Sequence, residues 1–430
     1  MKESLFYASC IDSTVLLTSS WLLFRNGKIS LYHPATTYLV FHFFAFTSRL
    51  IFLTNDAAFF LGQQPEYFTE IENHEIVKAS LLADLGFISM TVAWLLEARK
   101  KPSLSTFKSA IILDENTLKI VLLFTVPIGI WGIFSQLYIP GIGKNLLNFD
   151  GWEKSTYIIN AQNWLVLSYL VVIFKYGFNK LYLIIILICL FILGLQGELR
   201  YRVLVPCIFL LFLYLHRQQK RWLSPRFVMI ILVGIMVFLP MKYVGKLIQQ
   251  GASTEDLIEF ASEYQESLGV GANADFSFLD MYASTLTLID QHGGFYYGTT
   301  YLTVFLTPVP RQFWKEKPST VQWITDVSTP SRNLKELGSI ATIYGEAYAN
   351  FGYLGIIFIP FLFAKYSSRW YFKVLNMHPQ SANLYLYLYF AAVIVQVYRD
   401  GLISIVIFLS AYNIPGFCIY FFSILKQKRT

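Results

Sequence analysis

The chain has 430 residues, of which 55% are hydrophobic and only 14% charged, with a mean hydropathy of +0.49 and a formal net charge of +7. These values exclude an ordinary soluble globular domain. No polar stretch resembling a cytosolic nucleotide-binding domain is present, which speaks against an ATPase or a transferase using a cytosolic nucleotide sugar.

In chain order, about eleven segments approach the roughly 20 apolar residues that a bilayer core requires. They cover 5–24, 35–53, 76–97, 118–139, 157–175, 181–197, 199–216, 227–245, 343–364, 382–399 and 402–425. The expected class is an all-α polytopic membrane protein. Its parts are 1–245 with eight spans, a large polar loop over 246–342, and 343–430 with three spans and a tail. The first apolar run is followed by no small-residue cleavage site and is expected to be retained.

Basic residues set the orientation. Alternating backwards from a cytoplasmic tail with Lys426, Lys428 and Arg429 puts five groups of basic residues inside. These are Arg25 and Lys28; Arg99, Lys100, Lys101 and Lys108; Lys175 and Lys180; Arg217, Lys220, Arg221 and Arg226; and Lys365, Arg369 and Lys373. The loop with Asp56, Glu66, Glu70 and Glu72 falls outside, as do the large loop and the N-terminus. The net charge is thus mostly a topology signal, and nucleic-acid binding is not expected.

Cys10, Cys189, Cys207 and Cys418 all lie in apolar segments, without metal-ligand spacing or a disulfide framework. No Walker loop, CxxC, HExxH or internal repeat is present.

In the large loop, "STEDLIEFASEYQESLG" reads as a capped helix from Ser253 or Thr254 to Gly269. Farther on, "TPVPRQFWKEKP" is held by Pro308, Pro310 and Pro318. Phe313, Trp314 and Trp323 predict a folded cap and not a linker.

Polar groups inside spans are costly, on the order of 3 kcal/mol for a central arginine, and so mark candidate sites. "GELRYR" holds Glu198, Arg200 and Arg202 at an outer hairpin. Its arginines suit bidentate phosphate recognition, or they snorkel to headgroups, or Glu198 and Arg202 form an i,i+4 pair. Arg399 and Asp400 in "YRDG" are a second candidate, alternatively an interfacial ion pair. Arg311 and Arg332 are outer-loop cations, Arg311 on a proline-fixed backbone beside aromatics. Lys315 and Lys317 read as surface charges.

Glu346 in "GEAYANFG" lies near the outer end of its span with Asn350 one turn deeper, and it is expected to pair with one of the arginines. Arg49 is expected to join the cationic cluster, with His42 on the same span and Asp12 on the first either buried or interfacial. His292 reads as a surface turn residue, and the run "LYLYLYF" (Leu384 to Phe390) as interface belt or helix packing.

Taken together, "LYHPATTYLVFHFF", "LQGELRYRVLVPCIFLL", "VPRQFWKEKP", "GEAYANFGYLG" and "VYRDGLIS" in this order resemble the Wzy-type O-antigen and exopolysaccharide repeat-unit polymerases. The resemblance covers most of the chain. It implies a GT-C-like, metal-independent glycosyltransferase at the outer face of the bacterial cytoplasmic membrane, with no cofactor. The substrates it implies are undecaprenyl-pyrophosphate-linked oligosaccharides, among membrane lipids and with a chain-length regulator as candidate partner.

A hydroxyl of a new unit would attack the anomeric carbon of the growing glycan, and the lipid pyrophosphate would leave. Arg200, Arg202, Arg311 and Arg399, with Arg332 and Arg49 as further cations, would stabilise the leaving group. Glu346, or else Asp400, would accept the proton. The sequence offers no obvious metal cage. An O-antigen ligase, kept open by His292, and a lipid-linked oligosaccharide transporter are the alternatives. A transporter would place charges at mid-membrane, whereas the charges legible here gather at one face.

Overall fold

The computed structural model describes residues 2–25, 27–55, 71–100, 111–136, 138–139, 143–144, 156–195, 201–229, 247, 278–306, 309, 313–318, 322–328 and 341–427. The described chain is almost entirely helical; its strands are β1 (Tyr138–Ile139) and β2 (Gly143–Lys144), paired antiparallel. Among the described residues four helices are long and apolar enough to cross a membrane, or five if one sharply bent pair counts as a single span. This makes the chain an all-α protein of membrane type. The expected span at 227–245 and the helix from 253 to 269 lie outside the described residues, apart from the first residues of the former.

The chain divides into two compact units, each discontinuous in sequence. Unit 1 comprises Met1–Lys101, Glu266–Tyr371 and Ile394–Ile407. Its helices begin with α1 (Lys2–Arg25), α2 (Pro34–His42), a π turn (Phe43–Thr47) and α3 (Ser48–Asn55). They continue with α4 (Asn73–Arg99), and unit 1 also takes α9 (Phe278–His292), α10 (Thr299–Leu306) and α11 (Gln322–Val327). Most of α12 (Thr342–Val374), the end of α13 (Ala382–Asp400) and the short α14 (Ile403–Val406) complete it.

Local chemistry starts and stops these helices. Glu72 and Glu75 form a reciprocal capping box at the head of α4, satisfying two N–H groups that have no partner within the helix. His33 caps α2 by accepting from Ala35 N–H, with Pro34 supplying a fixed φ at the first position. The π turn after His42 inserts an extra residue into the helix, a local irregularity that is often found beside functional groups.

One end of unit 1 gathers residues of the basic loops. Lys28 Nζ donates to Ala98 O (2.6 Å), Arg369 Nε to Glu97 Oε1 (2.8 Å), and Tyr371 OH to Ser30 Oγ (2.9 Å). Arg369 and Lys373, expected in a loop, lie on the last turns of α12, which runs about ten residues past the expected span end. The apolar segment ends at Ala364, but the helical backbone hydrogen bonds continue through polar sequence because Tyr371 and Ser368 are packed there.

Unit 2 comprises Pro102–Gln265, Phe372–Val393 and Phe408–Thr430. It holds α5 (Glu115–Gln136), α6 (Thr156–Tyr176), α7 (Lys180–Leu195), α8 (Tyr201–Arg217), the first part of α13 and α15 (Ile414–Gln427). The α5–α6 pair is drawn together at Gly129 and Gly132, where any Cβ would strike the backbone of Leu165 or Gln162. Thr125 and Ser168 share a hydrogen bond across the same interface (2.8 Å).

One end of unit 2 also collects basic groups: Arg217 donates to Phe174 O (2.6 Å), Lys175 to Leu113 O, and Lys426 pairs with Asp114 (2.8 Å). The tyrosine run packs between helices. Tyr385, Tyr387 and Tyr389 are all buried, so packing and not an interface belt is its role. The last apolar segment is not one straight span. It bends by 82° at Asn413, next to Pro415, which has no N–H to continue the ladder.

Candidate functional site

The principal candidate is built where α12 breaks. Phe351 and Gly352 leave helical geometry (φ −140, ψ 15 and φ 59, ψ −143), and the second of these conformations is open essentially to glycine alone. A break leaves carbonyls without intrahelical donors. The segment 296–300 supplies them: Tyr296 N–H donates to Ala349 O (2.9 Å) and Tyr297 N–H to Asn350 O (3.0 Å). The Asn350 side chain completes the join, accepting from Gly298 N–H (3.0 Å) and exchanging hydrogen bonds with Thr300 Oγ1 (2.7 and 3.0 Å).

One turn before Asn350, Glu346 is buried, at 1% exposure. Its Oε2 accepts from Leu402 N–H at the start of α14, where helix N–H groups and the helix dipole favour negative charge. Gly401, at φ +95, lies directly against this carboxylate, and a Cβ there would collide with it. Oε1 has no hydrogen-bond partner among the described residues. Among the described residues no arginine pairs with Glu346. Backbone N–H holds it, because the Gly401 turn brings the head of α14 closer than any described guanidinium. Arg399 and Asp400 stand immediately before this turn and pair with each other (3.3 Å). Asp400 lies near enough to act on Glu346 electrostatically, as Glu346 does on Tyr301.

Arg49 takes a different role. It is buried and engages Asp280 of α9 through two hydrogen bonds, Nε to Oδ2 (2.7 Å) and Nη2 to Oδ1 (3.1 Å). Near the head of α4, Lys78 pairs with Asp290 (2.5 Å), which also accepts from Tyr348 OH (2.6 Å).

Deeper in the unit, Asp12 of α1, His42 of α2 and Asp84 of α4 converge, each at most 3% exposed. His42 Nε2 is 2.9 Å from Asp12 Oδ1 and 3.7 Å from Asp84 Oδ1. On its other side, His42 Nδ1 bonds to Tyr38 OH (3.1 Å), which in turn bonds to Tyr344 OH. Three ionisable side chains thus sit inside the helix packing. Asp84 is detectable in sequence as a lone acid in the middle of an apolar segment; Asp280 in the polar loop carries no such signal.

Arg202 belongs to unit 2. It is buried beside a cavity of about 20 Å³, roughly the space of one water, lined also by Tyr201, Asn163, Tyr389 and Tyr412. Arg200, Arg311 and Arg332 lie outside the described residues. Of the loop aromatics, Trp323 is buried, whereas Phe313 is 84% exposed. His292 is exposed at the end of α9 and stacks on Tyr296. Of the sequence-derived site residues, then, the structure brings together Glu346, Arg399 and Asp400.

Fold and site define the class, an all-α protein of membrane type with ionisable side chains buried among its helices. Comparison with protein-family models, curated proteins and solved structures gave no match.

Proposed function

We propose that the chain is a polymerase of lipid-linked oligosaccharide repeat units. It would be an eleven-span, GT-C-like glycosyltransferase of the cytoplasmic membrane with an outward-facing site. The observation that carries the reading is Glu346: a carboxylate held by backbone N–H on one oxygen, without a hydrogen-bond partner among the described residues on the other, near Asp400 of the Arg399–Asp400 pair. A general base requires a lone pair free to take the acceptor hydroxyl's proton. The Arg399 guanidinium, paired with Asp400, suits the charge that develops on the departing pyrophosphate. The Asn350 and Tyr296–Thr300 contacts hold the base on a rigid turn, which favours preorganisation.

The gathering of the basic loops at one end of each unit supports the multi-pass topology behind this reading. In the proposal Arg311 and Arg332 are further cations for the pyrophosphate, while Arg49 has its fork filled by Asp280.

The Asp12–His42–Asp84 cluster favours a second reading, a transporter of lipid-linked oligosaccharide, since buried ionisable groups inside spans mark ion and proton paths. One experiment separates the two. Purified protein is incubated with synthetic lipid-pyrophosphate repeat units and the products are resolved by length. The polymerase reading expects a ladder from the natural chain and single units from Glu346→Gln, which keeps shape but loses the proton acceptor. A natural chain that yields no ladder but moves units across reconstituted vesicles would replace it with the transporter. Long lipid-linked chains that pass only to a separate lipid acceptor would indicate the ligase.

A further inference from the structure

We propose that Asp12, His42 and Asp84 form a binding site for one first-row divalent metal ion, of the Zn²⁺ or Mn²⁺ kind, inside unit 1. The expectation from sequence was that no metal cage exists. The three ligands stand 30 and 42 residues apart on separate helices, so no spacing motif announces them.

Geometry is the first support. One ligand atom from each residue lies within 4.8 Å of the others. Ligand atoms around a tetrahedral ion with bonds of about 2.0 Å sit roughly 3.3 Å apart. The His42–Asp12 separation of 2.9 Å and the His42–Asp84 separation of 3.7 Å bracket that value. For these two pairs adjustments of a few tenths of an ångström suffice.

Unspent bonding capacity is the second support. Both oxygens of Asp84 and Oδ2 of Asp12 are buried without a hydrogen-bond partner among the described residues. Each such group costs on the order of 1–3 kcal/mol unless something meets it. These oxygens belong to the groups that converge on His42 Nε2. Two ionised carboxylates in one buried cluster call for a positive partner. A divalent ion beside two carboxylates and a neutral imidazole makes it neutral.

The surroundings supply a third. A metal-bound histidine generally gives its other ring N–H to an outer partner, which fixes the tautomer. Tyr38 OH occupies that position at Nδ1 and passes the chain of hydrogen bonds to Tyr344. Phe87 and Phe46 pack on the imidazole at 4.6 and 5.1 Å between ring centres and hold its plane. One nitrogen with carboxylate oxygens suits zinc or manganese better than calcium or magnesium, which take oxygen alone.

Bound metal would tie α1, α2 and α4 together and, through Tyr38 and Tyr344, fix the first turn of α12 two residues before Glu346. This site stands or falls independently of the polymerase reading.

The test uses the untagged full-length chain, purified in detergent, stripped with chelator and dialysed. Zn²⁺ and, separately, Mn²⁺ are then titrated, with bound metal measured by elemental analysis and unfolding followed thermally. The natural chain should hold about one ion and unfold at higher temperature when loaded. Asp84→Asn, nearly isosteric, should keep its fold and lose both the ion and the shift. Tyr38→Phe should keep the ion but weaken affinity by about ten-fold or more through the lost outer partner. The proposal is overturned if the natural chain holds under about a tenth of an ion. It is equally overturned if Asp84→Asn binds as tightly as the natural chain.

Discussion

Arg49–Asp280 and Asp12–His42–Asp84 are two answers to one problem, burying charge among apolar helices. They draw on the same stretch of chain, since Arg49 and His42 flank a single π turn. In the first, every carboxylate oxygen meets a guanidinium N–H, and the pair is closed. In the second, three carboxylate oxygens have no hydrogen-bond partner among the described residues, and the cluster is open. A closed pair maintains a structure; breaking it strands a charge. An open cluster has bonding capacity that only a further species can use. Glu346 stands between the two, one oxygen spent on Leu402 N–H and one free.

The largest expected effect tests the closed pair. Arg49→Ala should destabilise unit 1 by roughly 3–5 kcal/mol, because it leaves Asp280 charged and buried. Arg49→Met with Asp280→Leu should recover most of the loss. Unfolding in detergent measures both, and a single variant as stable as the double would break the comparison.

Gly401→Ala comes next, at about 3 kcal/mol. It combines a left-handed backbone, worth roughly 1–2 kcal/mol for an alanine, with a Cβ driven into Glu346, worth a further 1–3 or so. Pairing it with Glu346→Ala should recover the steric part alone, read from the same unfolding curves.

A further effect appears with pH. Burial against Ser368 pushes the His33 imidazole from its ordinary 6.5 down to about 3, so the folded chain holds it neutral. The unfolded chain takes up a proton below 6.5 that the folded chain refuses until about 3. Stability present above pH 6.5 is therefore lost progressively as pH falls toward 3. His33→Gln should flatten this part of the melting-temperature profile, and an unchanged slope would show that another group sets it.

The open cluster gives the smallest change. Without metal, Asp84→Asn should cost less than about 1 kcal/mol or raise stability, since it removes a buried charge that makes no hydrogen bond among the described residues. A loss as large as that of Arg49→Ala would mean that the cluster is closed after all.

Helix existence and class were legible in the sequence because hydropathy is a local property, summed over neighbours along the chain. Glu346, Arg399 and Asp400 were legible for a related reason: polar residues at the margin of apolar segments stand out against their surroundings. Partners were not. Arg49 and Asp280 are 231 positions apart, and nothing local to either names the other. The backbone capture of Glu346 depends on the Gly401 turn arriving beside α12. The break at Gly352 depends on the Tyr296–Thr300 segment lying close enough to take up its carbonyls. Composition determined that these helices would be apolar and that their buried charges would need partners. Packing between distant segments decided which charges were satisfied and which were left open, because hydrogen bonds act over about 3 Å in space whatever the separation in sequence.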